Sequence, residues 1–365
     1  MWISASCAAG ASIDGLPHLL QPAPRAQPLH CCVTTTSASA RAITVKDVAR
    51  AAAVSPMTVS RVVNGTASVD PVLAERVRQA IAQLGYVPNG MARQLRGGRS
   101  GLVAAIFPTL QESIYLPLVQ ALAEALAGAG FELVVGQSHF HPQEEAELLD
   151  DLIGRRPDAL LVVGALRTRR ARAQAERARV PLIELWDFDA SSRHASIGVQ
   201  HADIGAAVAR HFAAQGRQRL AYVGANEERS RKRFEAFAAQ AGSLGLQPPA
   251  VLYVEPPTTV RLGREALREL WHRNAPAVDA VFCSSDILAL GVLTEFSCLG
   301  LAPGKEVALM GFGDFALARE GVVRLSTVQV DLQSLAQRAV QQLRAGPGAD
   351  ALHCDIGFGI AQRDT

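Results

Sequence analysis

The sequence predicts an α/β protein in which a small all-helical head precedes a body of two lobes, each built on a mostly parallel sheet. Three observations predict it. The formal charge of +2 over 365 residues hides residues 41–100, where nine Lys/Arg face three Asp/Glu, +6 in one segment on an otherwise mildly acidic chain. Clustered cations on one small unit suit a polyanion. Between Ile43 and Leu84 the apolar residues recur at helical spacing. Beyond Gly101 short β-rich runs alternate with helical stretches of about 10 to 18 residues, the rhythm of βα units. Hydrophobic residues at 49% and charged residues at 19% allow real cores and exclude a disordered chain. No run reaches the roughly 18 uncharged apolar residues that a membrane helix needs, so a soluble, cytoplasmic protein is expected. The six cysteines form no CxxC pair. They read as reduced thiols, and no metal or cofactor is expected.

Residues 1–42 are rich in Ala, Ser and Pro, almost uncharged and without periodicity, and are expected to be a disordered extension or a misplaced start. A secretory signal would need positive charge ahead of an apolar core, but the first basic residue is Arg25, after Pro17. The head spans 43–87. Val45, Val48, Ala49 and Ala52 share one helix face; Ser55 is a natural N-cap with Pro56 at the first helical position. In this second helix Val59, Val62 and Val63 point inward, while Met57, Ser60, Arg61 and Asn64 form a second, outward stripe. A third helix starts at the Asp70 cap and Pro71, offers Leu73, Val77, Ala80, Ile81 and Leu84, and stops at Gly85. Two short helices joined by a tight turn, the second carrying an exposed polar stripe, match a helix-turn-helix, and Arg61 and Asn64 are able to bond base edges or phosphates.

KDVARAAAVSPMTVSRVVNG, followed by LGYVPNGMARQL from Leu84 to Leu95, resembles the head of the LacI/GalR family of bacterial transcription factors. That resemblance implies a regulator of double-stranded operator DNA. It places Pro56, Met57 and Arg61 at base-reading positions and Thr58, Ser60 and Asn64 among phosphate-contacting and helix-supporting residues; Thr44, Val45, Ser55, Tyr86, Asn89 and Ala92 complete the expected DNA-binding set. Residues 88–100 resemble the family's hinge helix and linker, with Leu95 as the wedge between base steps. A segment this short, carrying Gly90, does not hold a helix alone and is expected to fold on DNA.

The body, 101–365, resembles the family's core and with it the periplasmic sugar-binding fold; VPLIELWD, VFCSSDILALG and GFGDF are most like the gluconate-utilisation repressor type. Its strand rhythm restarts at IGVQ, which divides it into one lobe of 101–190 plus 315–330 and another of 191–314 plus 331–365. Ligands of such folds collect at the carboxyl ends of strands, here near Trp186, Asp187, Asp286 and Asp314. The resemblance places Arg233, Asp286, Ser113 and Tyr115 in an effector cleft. Where the family usually carries an Asp-Asn pair this chain has Gln200 and His201, and Gly313 replaces the first carboxylate of GFDD. Fewer acceptors for sugar hydroxyls, with Arg229 and Arg231 near Arg233, favour a sugar acid or its phosphate over a neutral sugar, and Trp186 offers a flat face for sugar C–H groups. The alternatives are a cytoplasmic solute-binding protein, or a regulator answering to a neutral sugar or nucleobase. No GxSxG, HExxH or P-loop motif occurs, and His139, His141, Asp150 and Asp151 read as solvated surface, so an enzyme is not expected. The resemblance further implies a homodimeric repressor whose operator affinity the effector controls.

Overall fold

The computed structural model describes residues 43–64, 69–86, 99–111, 114–274, 278–346 and 348–365. The extension 1–42, the hinge positions Asn89, Ala92 and Leu95, and Ser113 lie outside these residues. The chain forms two compact units divided between Pro88 and Asn89.

The head consists of α1 (Val45–Ala51), α2 (Pro56–Asn64) and α3 (Pro71–Leu84). Each boundary has a local chemical cause. Asp47 reaches back to accept the Thr44 backbone N–H at 2.9 Å, Ser55 Oγ accepts from the Thr58 N–H at 3.1 Å, and Asp70 Oδ1 accepts from Val72 and Leu73 at 2.9 and 3.2 Å. Gly85 closes α3 at φ +62°, where other residues are strained. Val48, Ala49, Ala52, Val59, Val77 and Ala80 are buried as one core, and Arg76 donates to the Ala52 carbonyl at 2.6 Å, tying α3 to the end of α1. Tyr86, expected among the DNA contacts, has its ring in this core instead at 8% exposure. Ser60, expected on the outward stripe, is also buried. A helix wedged between two others covers more of its circumference than a single apolar stripe indicates.

In the body β1 (Leu102–Phe107), α4 (Leu116–Gly128), β2 (Glu132–Gln137), α5 (Pro142–Gly154), β3 (Ala159–Val163), α6 (Arg169–Ala178), β4 (Leu182–Asp187) and β5 (Ala195–Val199) come first. There follow α7 (His201–Ala214), β6 (Leu220–Ala225), α8 (Glu228–Ser243), β7 (Ala250–Val254), α9 (Val260–Asn274), β8 (Ala280–Cys283), α10 (Asp286–Leu299), β9 (Ala308–Phe312) and α11 (Ala316–Glu320). The last elements are β10 (Ser326–Gln329), α12 (Leu332–Ala345), β11 (His353–Asp355) and β12 (Gly359–Ala361). The first sheet runs β11-β5-β4-β3-β1-β2 and the second β12-β10-β9-β8-β6-β7. Among the described residues only the pairing of β12 with β10 is antiparallel. Central strands such as β1, β3 and β5 are buried almost throughout, as parallel strands covered by helices on both faces must be.

The lobes divide differently from the sequence expectation. IGVQ does not open the second lobe: residues 195–199 pair with β4 from Ile183↔Ala195 to Asp187↔Val199 and complete the first sheet. Conversely β10 pairs with β9 in the second sheet, whereas α12 packs on α4, β4 and β5 of the first lobe and β11 joins that lobe's edge. The chain therefore crosses between lobes three times, after β5, after β10 and after β11. Strand rhythm is a local signal and does not reveal which sheet a strand joins.

Candidate ligand cleft and nucleic-acid interface

Two helices of the second lobe, α7 and α8, start at the cleft and pack against each other unusually closely. Gly205 permits this, since a Cβ there would overlap the Arg233 carbonyl oxygen. Close packing brings His201, the first residue of α7, against Arg233 of α8. Arg233 is 1% exposed, donates from Nη1 to His201 Nδ1 at 2.9 Å and from Nη2 to the Ser284 carbonyl at 3.2 Å, and lies 4.5 Å over the Phe312 ring. His201 Nε2 in turn meets Asp187 Oδ1 at 3.0 Å. Asp187 ends β4 of the first lobe, so this chain of contacts spans the cleft.

Arg229 sits one helical turn before Arg233 on the same face. It donates to Glu227 Oε2 from Nε and Nη2 at 3.3 and 3.1 Å, lies 5.7 Å over the Tyr115 ring, and has Nη1 3.8 Å from Asp187 Oδ1, an ion pair beyond hydrogen-bond reach. Gly164, at φ +85°, leaves room at this point: a Cβ would stand 3.3 Å from Arg229 Nη1. Nη1 of Arg229 and Nε of Arg233 are buried without a hydrogen-bond partner. A guanidinium offers only donors, so each of these atoms lacks an acceptor among its neighbours.

The charges follow from these contacts. Burial alone would raise the carboxyls of Asp187 and Glu227, but Arg229, with His201 at Asp187 and Arg233 at Glu227, more than reverses it and holds both below their ordinary values. Burial depresses His201 to about 4 against the pull of Asp187, so it is neutral at physiological pH. Two cations, two anions and a neutral imidazole make a balanced cluster. Above it the lobes leave about 40 Å³, bordered by Thr109, Gln111, Tyr115, Glu227, Ser284 and Ser285. A larger depression between α4 and α12, near Gln337 and Arg344, contains no member of the arginine cluster.

Not every expected residue joins this site. Trp186 is 2% exposed and has φ +79°, with Tyr115 and Phe312 packed edge-on at 5.4 and 6.0 Å. Its faces serve packing across the lobes rather than a sugar. Asp286 is fully buried and accepts from the Thr327 hydroxyl at 2.6 Å and the Phe315 N–H at 2.9 Å, tying α10 to the neighbouring loop and strand. Asp314 accepts from Arg363 and Gln329, both at 2.6 Å. Both carboxylates are occupied inside the second lobe. Arg231 is exposed and bonds Asn226. Glu227 and the bridging role of His201 escaped the sequence reading; the available signal was Arg229 and Arg233 four apart on one face with an acid just before the helix.

On the head, Pro56, Met57 and Arg61 are exposed along α2, with Met57 at 60%. Thr44, Val45 and Thr58 are half-buried, Ser55 is exposed, and Asn64 ends the helix.

A helix-turn-helix head followed by a bilobal body with a charged cleft defines the class of DNA-binding regulators that carry a small-molecule receptor. The family model of bacterial regulatory proteins, lacI family, matches residues 44–89, and the periplasmic binding protein-like domain matches 209–351. The HTH-type transcriptional regulator GntR of Pseudomonas aeruginosa is 34% identical over 88% of this chain and 95% of its own. A LacI family regulator from Silicibacter pomeroyi superposes with a TM-score of 0.78 at 27% identity, over 88% of this chain and 99% of that one. A lac repressor dimer bound to operator and an anti-inducer gives 0.77 at 25% identity, over 89% and 99%. The chain belongs to the LacI family of bacterial transcriptional regulators. It is a DNA-binding regulator and not an enzyme. Among the described residues no helix is long and apolar enough to cross a membrane.

Proposed function

We propose that this regulator is a cytoplasmic repressor that binds a near-palindromic operator as a homodimer, and that a sugar acid of the gluconate class, bound between the lobes, controls its grip. The observation that carries the effector reading is the pair of buried, unpaired donors on Arg229 and Arg233. A carboxylate satisfies a buried guanidinium donor better than a neutral hydroxyl does. The similarity to regulators named GntR supports the same reading. On the DNA side Arg61 reads guanine, Met57 and Pro56 supply apolar contact, and Thr44, Val45, Ser55, Thr58 and Asn64 hold the helix and the phosphates. The hinge segment with Asn89, Ala92 and Leu95 enters the minor groove, Leu95 as the wedge.

Effector binding changes the angle between lobes, and the coupling is bounded by the effector's differential affinity for the two states, typically about 1 to 3 kcal/mol. The test is isothermal titration of the full chain with D-gluconate and with D-glucose, followed by operator anisotropy with and without the acid. Binding of gluconate with a changed operator affinity is expected. Binding of glucose alone refutes the sugar-acid reading.

A further inference from the structure

The body as a whole is mildly acidic, but one stretch of its first lobe is not. From Arg155 to Arg179 the sequence holds eight arginines and no lysine against Asp158 and Glu176, a net +6 in 25 residues, the excess that residues 41–100 spread over 60. All eight are exposed. Arg167 and Arg172 bond the backbone carbonyls of Phe140 and Leu166, and Arg170 alone of the eight has an ion pair among the described residues, with Asp150 at 3.2 Å. The fold gathers much of this charge at one edge. Because β1, β3 and β4 are parallel neighbours, the residues ahead of them line up: Arg99 before β1, Arg155 and Arg156 before β3, Arg177 and Arg179 before β4. Neighbouring strands are about 4.8 Å apart, which makes this row roughly 10 Å wide at the backbone. Arg344, in the last turn of α12, extends it, since a Cβ on Gly346 would stand 3.7 Å from Arg99 Nη2. Glu132, Asp151 and Glu176 are the exposed acids near these six arginines. Asp158 has its two oxygens on the Ser100 and Gly101 N–H groups, each at 2.9 Å, and so clamps the chain arriving from the head to this same edge.

We propose that this edge is a second, sequence-independent DNA surface, which holds phosphates beside the bases that the head reads. It rests on the DNA-binding class and not on the effector. Thirteen residue steps separate Tyr86, the last described residue of the head, from Arg99, so the row is tethered within about 45 Å of the head even by fully extended chain. Duplex DNA carries one charge per roughly 1.7 Å of its axis, so several phosphates face a row of this width. Guanidinium forks match phosphate oxygens in pairs, and an arginine without a carboxylate partner gives up no ion pair to make that contact. An acidic protein is the other polyanion such a row could meet, but stable protein interfaces centre on buried apolar or aromatic anchors. Among the described residues none of the exposed large apolar side chains lies between 155 and 181. A polar, strongly positive surface without such an anchor has the character of a DNA contact.

The test is fluorescence anisotropy of the full chain, without effector, over a salt series on a labelled duplex that the wild type has selected from a random library. Arg155→Gln, Arg177→Gln and Arg179→Gln together remove three exposed charges from the row. The slope of log affinity against log salt should become shallower by about 2 to 3, with affinity at low salt down at least about tenfold. Discrimination among single-base variants of the duplex should be unchanged, because phosphate contacts carry no base information. Arg169→Gln, at the cleft end of the same helix, should leave the slope as it is. An unaltered slope in the triple variant overturns the inference and leaves the row to an acidic protein. A changed base preference overturns it too, as does an equal loss in Arg169→Gln, which would make the effect one of net charge. Should the triple variant fail to fold, Arg155→Gln with Arg177→Gln is read by the same criteria, with an expected slope change of about 1 to 2.

Discussion

His201 provides the most quantitative check on the cleft. Arg233 has only donors, so His201 Nδ1 must accept from it; the imidazole proton is then on Nε2, where it donates to Asp187. Protonating the ring would force Arg233 and an Nδ1–H to face each other in a buried site. Its pKa falls from 6.5 to about 4, through burial first and the charge of Arg233 as well, against the hydrogen bond to Asp187. At about 1.4 kcal/mol per unit this is a preference of roughly 3 kcal/mol for the neutral form. Because the folded value is depressed, the stability it contributes is fully present above the unfolded value near 6.5 and is lost as pH falls through about 4. Asp286 opposes it. Burial raises that carboxyl from 3.8 to about 6, so its contribution is present below 3.8 and lost as pH rises through about 6. The two oppose each other between those values, and His201→Gln, which removes the histidine's share of the acid loss, should lose less stability than the wild type on acidification from pH 6.5 to 4.5. The direct assay is imidazole NMR on labelled full-length protein, the His201 signals being those that vanish in the variant. They should stay in the neutral Nε2–H pattern from pH 8 to 5; a midpoint above pH 6, or an Nδ1–H tautomer, would refute the deduced network.

Three further outcomes are expected. Arg61→Ala should weaken operator binding by about 1 to 3 kcal/mol and relax base preference at one position, read by anisotropy against single-base operator variants. Gly205→Ala should separate α7 from α8 and cost about 1 to 3 kcal/mol, seen as a lower melting temperature together with weakened gluconate binding; a melting curve identical to the wild type would show that the helices are free to part. Asp286→Ala leaves the Thr327 hydroxyl and the Phe315 N–H buried and unmatched, so a loss of about 2 to 5 kcal/mol in urea unfolding at pH 7.5 is expected, tempered by the removal of a buried charge.

What the sequence disclosed about the head was its local chemistry. Caps at Ser55 and Asp70, the stop at Gly85 and the valine faces of α1 and α2 depend on neighbours within four residues, and all appear where the pattern places them. Ser60 and Tyr86 did not, because their burial depends on how three helices meet. In the body, strands were legible but their partners were not, since pairing β5 with β4 or β10 with β9 is decided by contacts distant in sequence. The cleft shows the same limit. Arg233 was accessible through family resemblance, whereas Trp186 looked like a ligand platform until its aromatic neighbours from two lobes were in place. Glu227 was legible only as an acid just before the helix that carries the two arginines.

One residue, Gln200, separates the last buried position of β5 from His201, so the first of the three crossovers and the histidine that bridges the lobes are a single piece of backbone. On the proposed reading, sensing and bending are then not assigned to separate parts of the molecule. A ligand that took Arg233 away from His201 would act directly on the backbone that joins the lobes, without a relay of intervening side chains. A new specificity at this cleft would then retune the mechanical response in the same substitution, which would tie the choice of molecule to the amplitude of the switch.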